Sequence, residues 1–122
     1  MSQSKVAGTV MLNLNNGEKK FLVKHDKTDH LDFIVANIDS IHTSLACILR
    51  DLKDVVKLDT SKMDLFELTN VTINSVSMPL FVFTLDENNV SEIDSATYGW
   101  ENPKQVKNVL ENIDISGVPF FY

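Results

Sequence analysis

The chain has 122 residues, is 43% hydrophobic and carries a formal net charge of -6. That length fits a single domain, 1–122, able to bury about two-thirds of its unfolded surface. The apolar content excludes a disordered chain, and the acidity argues against broad binding to long nucleic acid or anionic membrane, whose phosphates would repel it.

Val6–Leu14 is rich in strand formers, Asn15-Asn16-Gly17 is a turn signal, and an apolar run resumes over Lys19–Lys24. A hairpin or tight strand connection is expected there. Lys19, Lys20, Lys24 and Lys27 make this region locally basic, whereas Asp86, Glu87, Glu92, Asp94 and Glu101 gather later. Two readings stand for these lysines: the solvated side of a strand and its loop, or a contact for a small phosphate. The polar stretch His25–His30 reads as a loop, and Asp32–Ala36 as a short strand.

Asp39 or Ser40 is the expected N-cap of a helix ending near Lys57. Leu45, Ile48, Leu49, Leu52, Val55 and Val56 recur at spacings of three and four, the signature of one buried stripe. Asp51 and Asp54 share the opposite side, with Arg50 beside them. Lys53 and Lys57 suit the negative end of the helix dipole. Met63–Leu68 and Val71–Val76 are expected strands. Pro79–Leu85 carries four large apolar residues in succession, Leu80 to Phe83, as in a strand covered on both faces. Asp86–Asn89 reads as a turn and Ile93–Trp100 as polar and extended. Pro103 can open a helix, with Val106, Val109 and Leu110 at helical spacing over Gln105–Asn112. The tail Gly117–Tyr122 is apolar enough to dock onto the body. Phe66, Phe81, Phe83, Phe120 and Phe121 are assigned to the core. The order of elements predicts an α/β fold with helices covering both faces of a mixed sheet.

Within the first helix, Arg50-Asp51-Leu52-Lys53-Asp54-Val55-Val56-Lys57-Leu58 resembles the R-E-U-x-E-E-x-G-U part of the Nudix (MutT-like) motif G-x5-E-x7-R-E-U-x-E-E-x-G-U, where U is aliphatic. Counting back sets the motif's first glycine on Ala36 and its first glutamate on His42. The order of elements is similar over most of the chain, from the opening strands Val6–Leu14 and Lys19–Lys24 to the closing segment from Trp100 through Pro103–Asn112. The resemblance implies an α/β/α sandwich with a mixed β-sheet. It also implies chemistry: in the family, carboxylates on this helix hold divalent metal ions that bridge a diphosphate and activate water. Arg50, Asp51 and Asp54 would then be the catalytic set. Asp51 and Asp54 would be the metal ligands, with Mg2+ or Mn2+ as cofactor if the chain is active and none otherwise.

The departures from the motif have chemical consequences. Arg50, Leu52 and Leu58 are retained, while Asp51 and Asp54 keep a carboxylate that falls short of glutamate's reach by roughly 1.5 Å, about one bond. Such a pair can hold one ion weakly, with water completing its shell, but not the two or three ions of a typical member. Val55 offers no ligand, and His42 suits transition metals better than Mg2+. Replacement of glycine at Ala36 and Lys57 disfavours a positive φ at both sites.

The expected function is therefore a Nudix-fold protein with a degenerate catalytic motif, weakly active or inactive as a hydrolase, that binds a nucleotide or phosphorylated metabolite. Lys24 is a candidate phosphate contact. Tyr98 and Trp100, placed in a polar loop, are candidates to stack a base or sugar, with anchoring of the last helix as their other role. One alternative is a divergent metal-dependent hydrolase that cleaves a nucleoside diphosphate linked to another moiety, with Glu67, Asp86, Glu87 or Glu92 as base. A further alternative is a small structural or assembly subunit whose apolar tail makes a homodimer contact. Arg50 can serve either aspartate or a backbone carbonyl, His42 reads as a surface residue, and Cys47 as a small core or boundary residue rather than a nucleophile. No apolar run approaches the ~20 residues that span a bilayer. The polar start Met1–Lys5 has no signal core and Cys47 is the only cysteine, so a cytoplasmic, reducing location is expected.

Overall fold

The computed structural model describes residues 4–25, 31–73, 75–90, 92–102 and 113–115. Chain order runs β1 Lys5–Asn13, β2 Lys19–His25, β3 Leu31–Asp32, β4 Ile34–Asn37, α1 Ser44–Asp54, β5 Asp64–Ile73, β6 Val76–Asp86, β7 Tyr98–Glu101 and β8 Ile113–Ile115. These strands form one mixed sheet in the order β3-β2-β1-β6-β5-β8, with β4 also pairing β1 and β7 also pairing β2. β1 and β6 run parallel, from Ala7 opposite Leu80 to Asn13 opposite Asp86, and the other pairs are antiparallel. The fold is α/β, as expected.

Both faces of the central strands are buried, which explains their nearly continuous apolar sequence. Val6, Val10 and Leu12 of β1 join Leu22, Phe81, Phe83 and Leu85 in one core, into which α1 sends Cys47, Ile48 and Leu52, and the turn after it Val56. Ala7 and Met11 of β1 join Phe21, Val23, Phe33, Met78, Leu80 and Val82 on the opposite face. Helix α1 lies close to β1 because Gly8 leaves room: a Cβ there would stand 2.5 Å from Ile48 Cγ1. Ile48 and Leu52 are fully buried, each contributing about 1.5–3 kcal/mol from the apolar surface removed from water.

Several boundaries differ from the sequence reading. Thr43, not Asp39 or Ser40, is the N-cap, its hydroxyl accepting the Ala46 N–H. Asp39 instead closes the preceding turn, accepting the N–H groups of Ile41 and His42. The expected strands at Met63–Leu68 and Val71–Val76 are one long strand, β5, with an irregularity between Leu65 and Glu67. β6 starts at Val76, so Pro79 lies inside it, opposite Asn70. His25 ends β2 rather than opening a loop. Phe66 is half-exposed rather than core. Phe81 and Phe83 are buried as expected, with ring centroids 6.4 Å apart, and Cys47 is fully buried. The closing helix expected over 105–112 and the tail from 117 lie outside the described residues. Among the described residues no helix is long and apolar enough to cross a membrane.

Candidate functional site

The outward side of α1 carries the motif-like residues. Asp51 is half-buried and Asp54 exposed. Burial pushes the Asp51 carboxyl above the usual carboxylate range; the Arg50 charge opposes this, Asp54 reinforces it, and Lys24 opposes it. Lys24 comes from β2, where it pairs with Tyr98 of β7 on one side and Asp32 of β3 on the other. Tyr98 is itself raised by burial, then by the charges of Asp51 and Asp94. Asp51 thus feels the charge of Lys24, and Tyr98 feels the charge of Asp51, which brings three candidates from distant parts of the sequence within electrostatic reach of α1.

Tyr98 and Trp100 lie on a strand, not in a loop. Tyr98 is buried in the core beneath α1 and Trp100 packs partly buried against the same cluster. The Tyr98 ring, enclosed by core side chains, has no free face to offer a base.

Arg50 serves neither Asp51 nor Asp54 through a hydrogen bond. It donates from Nη1 to Asp39 Oδ2 at 3.2 Å. His42 joins the same carboxylate, with Nδ1 3.0 Å from both oxygens and its backbone N–H 2.7 Å from Oδ1. The His42 N–H and ring hold the Asp39 carboxyl far below the usual range, with further help from the Ile41 N–H and Arg50. Sequence reasoning missed this cluster by assigning Asp39 to the helix cap. An Asp three residues before a His, in a turn leading to a helix, was the available signal.

Val55 corrects the buried stripe. It is 56% exposed at the helix C-terminus, while Leu45 and Leu49 are half-buried. The helix then ends in a wide turn: Val56 N–H reaches Asp51 O at 3.0 Å, and Leu58 N–H reaches Leu52 O at 2.9 Å. The chain reverses at Lys57 with φ 72°. Here the expectation fails: the left-handed conformation persists without glycine, because it turns both Val56 and Leu58 into the core. Ala36 needs no such conformation; it is a buried strand residue of β4.

A cleft of about 270 Å3 lies against the sheet, lined by Lys5, Lys24, Asp32, Phe33, Val35, Ile73, Val76 and Met78. Lys24 therefore links this cleft to the charge of Asp51. Among the described residues, no three His, Cys, Asp or Glu side chains converge in a way that could hold a metal ion. With Val55 exposed and apolar, and His42 tied to Asp39, the donors among the described residues do not fit the multi-ion centre implied by the motif.

No family model and no curated protein matches the sequence. Solved structures do. The Caenorhabditis elegans Ap4A hydrolase superposes with a TM-score of 0.73 at 12% identity, covering 91% of this chain and 88% of that one. A Mycobacterium smegmatis Nudix hydrolase, RenU, gives a TM-score of 0.60 at 14% identity over 97% of this chain and 78% of its own. This chain has the Nudix fold. The C-terminal domain of mouse MUTYH, solved in complex with human PCNA, is also similar, with a TM-score of 0.59 at 11% identity over 88% of this chain and 78% of that one. At these identities the likeness is one of fold, and chemistry is decided by the site.

Proposed function

We propose that this Nudix-fold chain binds a nucleotide or another phosphorylated metabolite and lacks robust metal-dependent hydrolysis. The observation that carries this reading is Val55: an apolar side chain stands in solvent where the motif calls for a metal-binding carboxylate. Asp51 and Asp54 alone offer too few oxygen donors to clamp a diphosphate between ions. His42 does not replace the missing glutamate, because its ring is engaged with Asp39.

The cleft supports the binding half of the proposal. Phe33, Val35, Ile73, Val76 and Met78 give it an apolar lining, and Lys5 and Lys24 give it two cations against one carboxylate, Asp32. That combination suits a small ligand with an apolar body and an anionic group. Its volume, about 270 Å3, fits one compact moiety rather than a long polymer. Lys24 meets the anionic group, and in doing so is drawn from Asp51.

Calorimetric titration with nucleoside mono-, di- and triphosphates, first without divalent metal, tests this. One-site binding is expected, weakened about tenfold by Lys24→Ala, since a hydrogen bond to a charged group contributes about 1.5 kcal/mol. Absence of binding across a nucleotide and sugar-phosphate panel would refute the binding half. Turnover that disappears in Asp54→Ala would refute the other.

A further inference from the structure

The apolar part of the cleft lies on the sheet face turned away from α1. Phe33 and Met78 belong to the core cluster of that face, and Ile73 packs against it. Val35 stands opposite Ala7 of the same cluster, while its neighbours Ile34 and Ala36 face the cluster beneath α1. Lys5, one residue before Val6, and Val76, two before Met78, follow the same alternation.

The lining changes character from strand to strand. Ile73 of β5 and Val76 and Met78 of β6 form an apolar end. Lys5 of β1 and Val35 of β4 come next, and Asp32 and Lys24, cross-strand partners, close the other end. Neither ammonium group is held in an ion pair among the described residues. A ligand on a sheet face meets side chains, because ladder N–H and C=O groups point within the sheet toward neighbouring strands. The lining side chains are cationic, anionic or apolar, and none is a neutral hydrogen-bonding group. A nucleobase laid along the apolar end would leave its amino, carbonyl and ring N–H groups unpaired, a cost that a hydrocarbon does not incur. Val35 and Val76 are 37% and 44% exposed, so a hydrocarbon over them removes apolar surface that water now wets. The volume, about 270 Å3, equals about nine water molecules at ~30 Å3 each, room for a body of about six to eight carbons. Two ammonium groups against one carboxylate suit a single phosphate. A di- or triphosphate would meet stronger repulsion from a chain of net charge -6.

We propose, resting on the binding function given above, that the cleft takes the monophosphate ester of a short aliphatic alcohol. Lys5 and Lys24 meet the phosphate, and the hydrocarbon lies along Val35, Val76, Met78 and Ile73.

Calorimetric titration of the full chain with inorganic phosphate, n-butyl phosphate, n-hexyl phosphate and adenosine monophosphate tests this. Affinity should rise about two- to fourfold per added carbon, and hexyl phosphate should bind at least tenfold tighter than the nucleotide. Val76→Ser, at a half-exposed position, should flatten the gain per carbon and leave inorganic phosphate binding unchanged. Lys5→Gln should weaken every member several-fold and keep the gain per carbon. Tighter binding of the nucleotide than of hexyl phosphate would overturn this ligand class and leave the binding function standing. Absence of binding by every member would overturn both. An unaltered gain per carbon in Val76→Ser, or unaltered affinities in Lys5→Gln, would place the esters elsewhere and overturn the proposal.

Discussion

Helix α1 presents two sides that obey different rules. Its inner side, Cys47, Ile48 and Leu52, is buried against β1, β4 and β6. Its outer side carries Asp51 half-buried and Asp54 exposed, followed by the exposed cap residue Val55. Any apolar residues of suitable volume at the right period satisfy the inner side. The outer side needs particular side chains, and one methylene or one carboxylate decides whether it can grip a metal. A Nudix fold can thus stay whole while its chemistry changes.

The largest expected effect separates these sides directly. Leu52→Ala should cost about 3 kcal/mol in urea unfolding, within the 2–5 kcal/mol typical of a buried leucine. Asp54→Ala should stay within about 0.5 kcal/mol, as for other surface substitutions. Comparable losses would dissolve the distinction. Lys57→Gly comes next: relief of the left-handed strain, partly offset by the freer unfolded chain, should raise stability by about 0.5–1 kcal/mol. A loss there would mean that the Lys57 side chain contributes more than its backbone costs.

The smallest effects are set by pH, and their signs oppose. The Asp39 carboxyl is held below its ordinary 3.8, so its contribution is complete above that value and is lost as pH falls below it. The Asp51 carboxyl is raised, so its charge costs stability above its folded pKa, and acid relieves that cost. Thermal unfolding at pH 7 should therefore show Asp39→Asn lowering Tm and Asp51→Asn raising it. Both differences should shrink at pH 3.

Much of the fold was legible because it rests on periodicity. The strands around Asn15-Asn16-Gly17, the doubly covered run at Leu80–Phe83 and the stripe through Ile48 and Leu52 follow from pattern alone. Val55 was misread because the period places it beside Val56, whereas the helix has already begun to unwind there. β5 was divided in two because Asn70 resembles a break, yet cross-strand pairing with Pro79 carries the strand through. At the site, Asp51 follows from its place in the motif and Lys24 from its charge. That the Lys24 charge reaches Asp51 across the fold is stated by no local pattern. Arg50 was matched to the nearby aspartates, while a pre-ordered turn eleven residues away supplied its partner.

Whether α1 retains metal-dependent chemistry on its outer side is read from product formation from nucleoside diphosphates linked to other groups, with Mg2+ or Mn2+, for the native chain and Asp54→Ala side by side. The same background signal is expected from both. Turnover by the native chain that vanishes in Asp54→Ala would mean that the outer side of α1 is catalytic.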